Sequence, residues 1–321
     1  VDKNLPLENK RDLYISPEAS LPADTFETLY CAACAYFELE EYTKALEFFI
    51  NAIALRPSDY ELINNAALTF CKIGEYRQGL KYFKKVMELK PDFIGAYVNM
   101  ANALSDMGEY DEALNYCQKA LEIKPDDAAA LYYAGVACDN MEKYQMAIDY
   151  FDKSLESEPD NNAVLTGLGL VMSKTGEDES AIEYFKRSLL TEPDNLDALN
   201  NMGSAYERLG KYEEAIECFQ KNIDLAPDDF LAIDNMGVAY HKLGNEQKAQ
   251  QCFTEALVIN PNYDAAFYNL ACSYSLAKDE KNALDYLKQA IRYDKKWKEI
   301  ASEDNDFNAL RELPEYKKIM E

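Results

Sequence analysis

The sequence predicts an all-α chain built from tandem copies of one helix–turn–helix unit. Three observations carry this. Pro57, Pro91, Pro125, Pro159, Pro193, Pro227 and Pro261 stand 34 residues apart, so seven of the eleven prolines share one register. With that proline numbered position 32 of each unit, position 20 is always Ala or Gly: Ala45, Gly79, Ala113, Ala147, Ala181, Ala215, Ala249 and Ala283. Position 24 is always apolar: Phe49, Phe83, Cys117, Phe151, Phe185, Phe219, Phe253 and Leu287. A strict period of this kind marks a repeat array, in which each unit covers its apolar face with its neighbours.

On this register eight units run without insertion from Phe26 to Trp297. Within a unit, apolar residues at positions 4, 7, 8 and 11 define the buried face of a first helix, and those at 20, 24, 27 and 30 that of a second. Position 8 is Ala or Gly in every copy, which calls for close backbone approach. Gly at position 15, present in five units, ends the first helix, and Pro at position 32 ends the second. Asp92, Asp126, Asp160, Asp194 and Asp228, at position 33, are expected to cap the helix that follows. The pattern therefore predicts sixteen helices of about 12–14 residues and about 20 Å each.

The flanks differ from the array. Residues 1–25 hold Pro6, Pro17 and Pro22, which argue against one long helix, yet Leu13, Tyr14 and Ile15 form an apolar run. The first unit has the most apolar stripe of the eight, with Tyr30, Cys31, Cys34 and Phe37 at the open end of the array. The apolar patch of Tyr30, Cys34 and Phe37 needs a cover. Leu13, Tyr14 and Ile15 are expected to supply it, as a cap or a tethered occupant, or else a partner does. Residues 298–321 carry an acidic turn, Glu303 to Asp306, then Phe307, Leu310, Leu313, Tyr316 and Ile319 at helical spacing broken at Pro314. This segment reads as a capping helix on the last unit, with Trp297 at the junction.

The sixth unit resembles the tetratricopeptide-repeat consensus in Leu199, Asn201-Met202-Gly203, Tyr206, Gly210, Tyr212, Ala215, Phe219 and Pro227. The resemblance to that family covers 272 of the 321 residues. Departures are few: Gly79 at position 20, Ser154, Ser188 and Asn222 at position 27, and Lys295 in place of the last proline. The resemblance implies a right-handed α-solenoid, a superhelix of eight helix–turn–helix repeats. It also implies a concave groove that binds extended peptides or short helices.

Composition narrows the function. With 58 acidic and 33 basic side chains the net charge is -25, which disfavours nucleic acid and anionic membrane surfaces. No apolar run reaches the roughly 18 residues of a membrane span, and no signal-peptide pattern is seen. The eight cysteines are spread among helical patterns and are expected to be reduced, in the cytoplasm. A single histidine leaves little scope for His-based catalysis or zinc sites. Cys31 and Cys34 form a CxxC, read as helix packing rather than a metal or redox site. No phosphate loop, nucleophile elbow or paired-carboxylate site is seen, so neither an enzyme nor a cofactor or metal is expected.

In the family, positions 2, 5, 6, 9, 12 and 13 line the groove. Position 6 is Asn65, Asn99, Asn201, Asn235 and Asn269 in five units. An asparagine offers both a donor and an acceptor, so a ladder of them can hold a peptide backbone. The same residues read equally as repeat consensus that hydrogen-bonds within the array. Tyr132, Tyr133 and Tyr268 are candidate aromatic anchors. Position 5 contains no Lys, so the carboxylate clamp is absent and binding of heat-shock chaperone tails is not expected. The resulting expectation is a protein-interaction scaffold or adaptor with a peptide in its groove. The alternatives are a self-assembling structural protein and the regulatory region of a larger one; the oligomeric state is left open, a monomer included.

Overall fold

The computed structural model describes residues 25–321; the expected packing of Leu13, Tyr14 and Ile15 on the first repeat lies outside the described residues. The chain divides into two units, residues 1–159 and 160–321. The described part of the first holds α1 (Phe26–Glu38), α2 (Tyr42–Leu55), α3 (Tyr60–Lys72), α4 (Tyr76–Leu89), α5 (Ile94–Asp106), α6 (Tyr110–Ile123), α7 (Ala128–Asn140) and α8 (Tyr144–Ser157). The second holds α9 (Asn162–Lys174), α10 (Asp178–Thr191), α11 (Leu196–Arg208), α12 (Tyr212–Leu225), α13 (Phe230–Lys242), α14 (Glu246–Ile259), α15 (Asp264–Leu276) and α16 (Glu280–Tyr293). First helices all have 13 residues and second helices 14. Among the described residues there is no strand. Within each unit a helix packs on the next in sequence, and first helices also touch the first helices of adjacent repeats.

The small and large positions form one lock. Every residue at position 20 is buried, and the position 24 aromatics are 0–1% exposed, each worth about 2–3 kcal/mol of burial. Position 8 explains the glycines opposite them. A Cβ on Gly135 or Gly203 would lie 2.5 or 2.6 Å from the ring of Phe151 or Phe219, within the same repeat. Gly79 departs from the position 20 alanine for a related reason. A Cβ there would collide with the Sγ of Cys71, so the thiol fills the space of the missing methyl. The polar residues at position 27 are buried and bonded to the neighbouring helix, although the Oδ1 of Asn222 has no hydrogen-bond partner. Ser154 Oγ donates to the Ala128 carbonyl at 3.0 Å and Asn222 Nδ2 to that of Leu196 at 3.0 Å.

The turns correct one expectation and reveal a cost. The first helices are capped from position 34, not 33. Thr25, Asp59, Asp127, Asn161, Asn195 and Asp229 accept backbone N–H groups, whereas Asp92, Asp126, Asp160, Asp194 and Asp228 sit in the turn after the proline. The helix starts at position 1, and only the residue immediately before it can reach the orphan donors of the first turn. At position 15 the five glycines have φ between +72° and +84°. Glu40, Glu142 and Lys278 take the same left-handed conformation at +58° to +63°, where a side chain is strained.

The C-terminal segment is not one helix. It forms α17 (Lys296–Glu303), a 3-10 turn (Asn305–Phe307) and α18 (Pro314–Met320). Pro314 opens α18, where its missing N–H costs nothing. Phe307, Leu310 and Tyr316 are buried against Phe267, Tyr268, Leu287 and Ala290 of the eighth repeat.

Candidate functional site

The position 6 asparagines mostly bridge repeats. Asn99 Nδ2 donates to Asn64 Oδ1 at 3.1 Å, and Asn235 Nδ2 to Asn200 Oδ1 at 3.1 Å. Asn269 Nδ2 lies 3.1 Å from both oxygens of Asp234, and Asn65 Nδ2 donates to Tyr30 Oη at 3.4 Å. In each case position 6 reaches position 5 of the preceding repeat. Asn201 instead bonds its own helix, at the Asp197 carbonyl. Where position 5 is Val98, the facing position 6 is Tyr133, and the polar rung becomes an apolar contact. Of the two readings the sequence left open, an array-internal bond is thus made by all five asparagines, four of them between repeats. These bonds use the amide Nδ2 of each asparagine as donor.

The rung at Asp234 is electrostatically costly. Its carboxylate is 3% exposed, and burial pushes its pKa from 3.8 to about 6 against the opposing hydrogen bonds of Asn269 and Tyr263. Removing a carboxylate from water without a cation disfavours its charged form.

Other candidates separate. Tyr132 and Tyr133 meet edge-to-face with centroids 5.1 Å apart, and Tyr132 also leans on Phe151. Both are half-buried, and burial raises their hydroxyl pKa values. Tyr30 is stacked on Phe26 and packs edge-on to Phe49. Cys34 and Phe37, with Glu38, Phe49, Asn65 and Leu68, line a cavity of about 200 Å³ on the first two repeats. The sequence named three of its walls, Cys34, Phe37 and Asn65; Phe49 comes from the second helix of the same repeat, and Leu68 from the repeat that follows.

Tyr268 is not an open groove residue. It is 5% exposed, stacks on Trp297 with centroids 4.4 Å apart, and donates to Asp304 Oδ2 at 2.6 Å. The acidic turn of the C-terminal segment covers the stripe of the eighth repeat. Ser275 Oγ donates to the Asp306 carbonyl at 2.6 Å, and Trp297 Nε1 to Asp264 Oδ2 at 2.8 Å. His241 joins this latch, with Nε2 at 3.1 Å from Asp306 Oδ2 and Nδ1 at 2.9 Å from Glu246 Oε2. Burial alone would lower the imidazole pKa, but the two carboxylates outweigh it and hold it above the ordinary value. His241 holds Asp306 below the ordinary carboxylate value.

Cys272, Asp304 and Asp306 bring one ligand atom each within 4.8 Å of one another, a grouping with metal-ligand chemistry that the sequence did not anticipate. Its donors already serve the latch: Cys272 Sγ lies 3.7 Å from Asp304 Oδ2, which also receives the Tyr268 hydroxyl. All eight thiols are unpaired, and burial raises each of them, Cys71 to about 11 and Cys117 to about 12. None is therefore an activated thiolate.

Models of the tetratricopeptide repeat match residues 26–59, 95–127, 128–161, 196–229, 235–263 and 265–296. The chain belongs to the tetratricopeptide-repeat family. Proteins of this family generally mediate protein–protein interaction. A comparison with curated proteins finds no match. Among solved structures, YrrB, a tetratricopeptide-repeat protein with an unusual peptide-binding site, is 30% identical with a TM-score of 0.50, the match covering 57% of this chain and 95% of that one. The hetero-tetramer Cut9-Hcn1 of APC/C is 16% identical with a TM-score of 0.61, covering 98% and 59%. A tetratricopeptide-repeat protein from Parabacteroides merdae is 19% identical with a TM-score of 0.58, covering 77% and 98%. The latter two likenesses concern the fold alone. Among the described residues of this tetratricopeptide-repeat chain, no helix is long and apolar enough to cross a membrane.

Proposed function

We propose that the chain is an interaction scaffold that takes an extended peptide or a short helix of a partner protein on the first-helix face of its repeats. The observation that carries this reading is the cavity bounded by Cys34, Phe37, Leu68 and Asn65, which has room for one bulky apolar side chain beside a polar amide. Such an anchor pocket with an adjacent hydrogen-bonding group is what peptide recognition requires. Asn99, Tyr132 and Tyr133 extend the stripe in the same unit; Asn201, Asn235 and Asn269 offer an equivalent stripe in the other. Tyr268 is left out because the C-terminal segment covers it. The protonated, unpaired thiols fit a reducing compartment such as the cytoplasm.

The test is selection from a random peptide library on the full chain. The expected outcome is a motif with a bulky apolar residue, whose binding is lost in Leu68→Glu and weakened in Tyr133→Ala at unchanged helix content. Selected peptides that bind both variants as well as the parent would overturn the assignment. Sedimentation mass that climbs with concentration would favour self-assembly instead.

A further inference from the structure

The latch at the C-terminal end gathers more ligand chemistry than a hydrogen-bonded cap needs. Residues from three parts of the second unit meet there. His241 comes from α13, Cys272 from α15, and Asp304 and Asp306 from the turn after α17. One ligand atom of each of Cys272, Asp304 and Asp306 lies within 4.8 Å of the other two. His241 Nε2 stands 3.1 Å from Asp306 Oδ2, and Cys272 Sγ 3.7 Å from Asp304 Oδ2.

These separations match the edges of a first coordination shell. Zinc binds thiolate sulfur at about 2.3 Å and imidazole nitrogen or carboxylate oxygen at about 2.0 Å. Around a tetrahedral ion the S···O edge is then about 3.5 Å and the N···O edge about 3.3 Å. One thiol, one imidazole and two carboxylates suit a four-coordinate, borderline-soft cation, whereas magnesium and calcium take oxygen ligands. The imidazole is also held as that of a metal ligand is. Its Nδ1 lies 2.9 Å from Glu246 Oε2, which turns Nε2 to the cluster. A carboxylate behind the histidine is the usual outer-shell partner of bound zinc.

The local charge calls for a cation. Cys272 is 5% exposed, with its thiol turned to the two carboxylates. Arg311 Nη2 donates to the Asp304 carbonyl at 3.0 Å rather than to its carboxylate. Acidic groups this close disfavour one another's ionisation unless a positive ion sits among them. The latch bonds can stay in place around such an ion. Tyr268 and the Asp306 N–H donate to the Asp304 carboxylate, which has lone pairs to spare. Only the Sγ and Nε2 hydrogens stand in the way, and coordination releases both to solvent. Asp306 keeps 25% of its side chain exposed, which gives the ion a way in.

We propose that His241, Cys272, Asp304 and Asp306 form a zinc site, oriented from behind by Glu246 and Tyr268. The ion ties the C-terminal turn to the seventh and eighth repeats. No sequence motif announces it, because its ligands are drawn from two repeats and the cap.

The experiment uses the full chain, kept reduced and freed of metal by a chelator. It is titrated with cobalt(II) as a spectroscopic probe, then with zinc(II). His241 is the only histidine, so the nitrogen NMR signals of its imidazole report on the site in the parent chain without any substitution. The proposal expects one equivalent of cobalt to bind, with a thiolate-to-cobalt charge-transfer band that equimolar zinc removes. Zinc should shift the Nε2 signal while Nδ1 stays protonated. The band should be lost in Cys272→Ser and kept in Cys34→Ser, both at unchanged helix content. Glu246→Gln should weaken zinc binding by about 10–100-fold. An Nε2 signal unmoved at saturating zinc overturns the site, and this holds even if Cys272→Ser misfolds. A band that survives in Cys272→Ser, or disappears in Cys34→Ser, puts the metal on other thiols and overturns it too. Zinc binding without a thiolate band is adventitious carboxylate binding and refutes the assignment equally.

Discussion

Asp234 offers the sharpest quantitative test of the repeat-to-repeat rungs. Its carboxylate is buried without a cation, and its neighbours Asn269 and Tyr263 supply only hydrogen-bond donors. Because its pKa is raised, the folded state holds the proton longer than the unfolded state does. Stability contributed by this group is therefore greatest at acidic pH and falls as pH rises from about 4 to about 6. The gap from 3.8 to about 6 corresponds to about 3 kcal/mol at about 1.4 kcal/mol per pH decade. Asp234→Asn removes the titration and recreates the Asn200–Asn235 rung, which makes its bond at 3.1 Å with two amides. Exchanging one charge-assisted acceptor for a neutral one returns about 1 kcal/mol. The variant should thus be about 2 kcal/mol more stable than the parent at pH 8, and slightly less stable at pH 4. Urea unfolding by circular dichroism across pH 4–8 reads this difference directly. A destabilising effect at pH 8, or a difference that does not change with pH, would refute the account of the rung.

Three further outcomes follow from the geometry. Gly203→Ala should cost about 1 kcal/mol, because the added methyl presses on Phe219. In a Phe219→Leu background the same change should gain about 1 kcal/mol from helix propensity, and a double-mutant cycle with no coupling would contradict the lock. Ala33 with Phe49 and Ala67 with Phe83, all buried, show that alanine at position 8 can coexist with the ring, which keeps the expected cost modest. Glu142→Gly should stabilise by about 1 kcal/mol by relieving a positive φ, read as a higher urea midpoint; no gain would mean the turn is unstrained. Finally, the His241 pKa is raised, so its grip on Asp306 is fully present below about 6.5 and weakens as pH climbs through the folded value. Amides around Ala301 and Phe307 should exchange faster at pH 8 than at pH 6, beyond the intrinsic rate change. His241→Gln should abolish that extra sensitivity, and a variant that retains it would exclude the latch.

The sequence by itself determined the local structure, because the period, the small residues at positions 8 and 20 and the proline at 32 act within one repeat. Sixteen helices of the expected length follow from near-neighbour sterics and apolar spacing, which a 34-residue register displays openly. The cap position was missed by one residue because Asp at 33 and Asp or Asn at 34 are chemically alike, and only the first helical turn distinguishes them. The partners of the asparagines were not legible. A donor at position 6 finds its acceptor about 35 residues earlier, and the pairing depends on how two repeats pack. The same holds at both ends of the array. Nothing in the spacing of Tyr268 separates it from Tyr132, yet the first is buried beneath Trp297 and Asp304 and the second is half-buried on the first-helix face. The cavity beside Phe37 likewise exists because Leu68 comes from the next repeat. Periodicity fixes what each helix buries; only the packing of one repeat on the next decides which polar groups are consumed and which are left for a ligand.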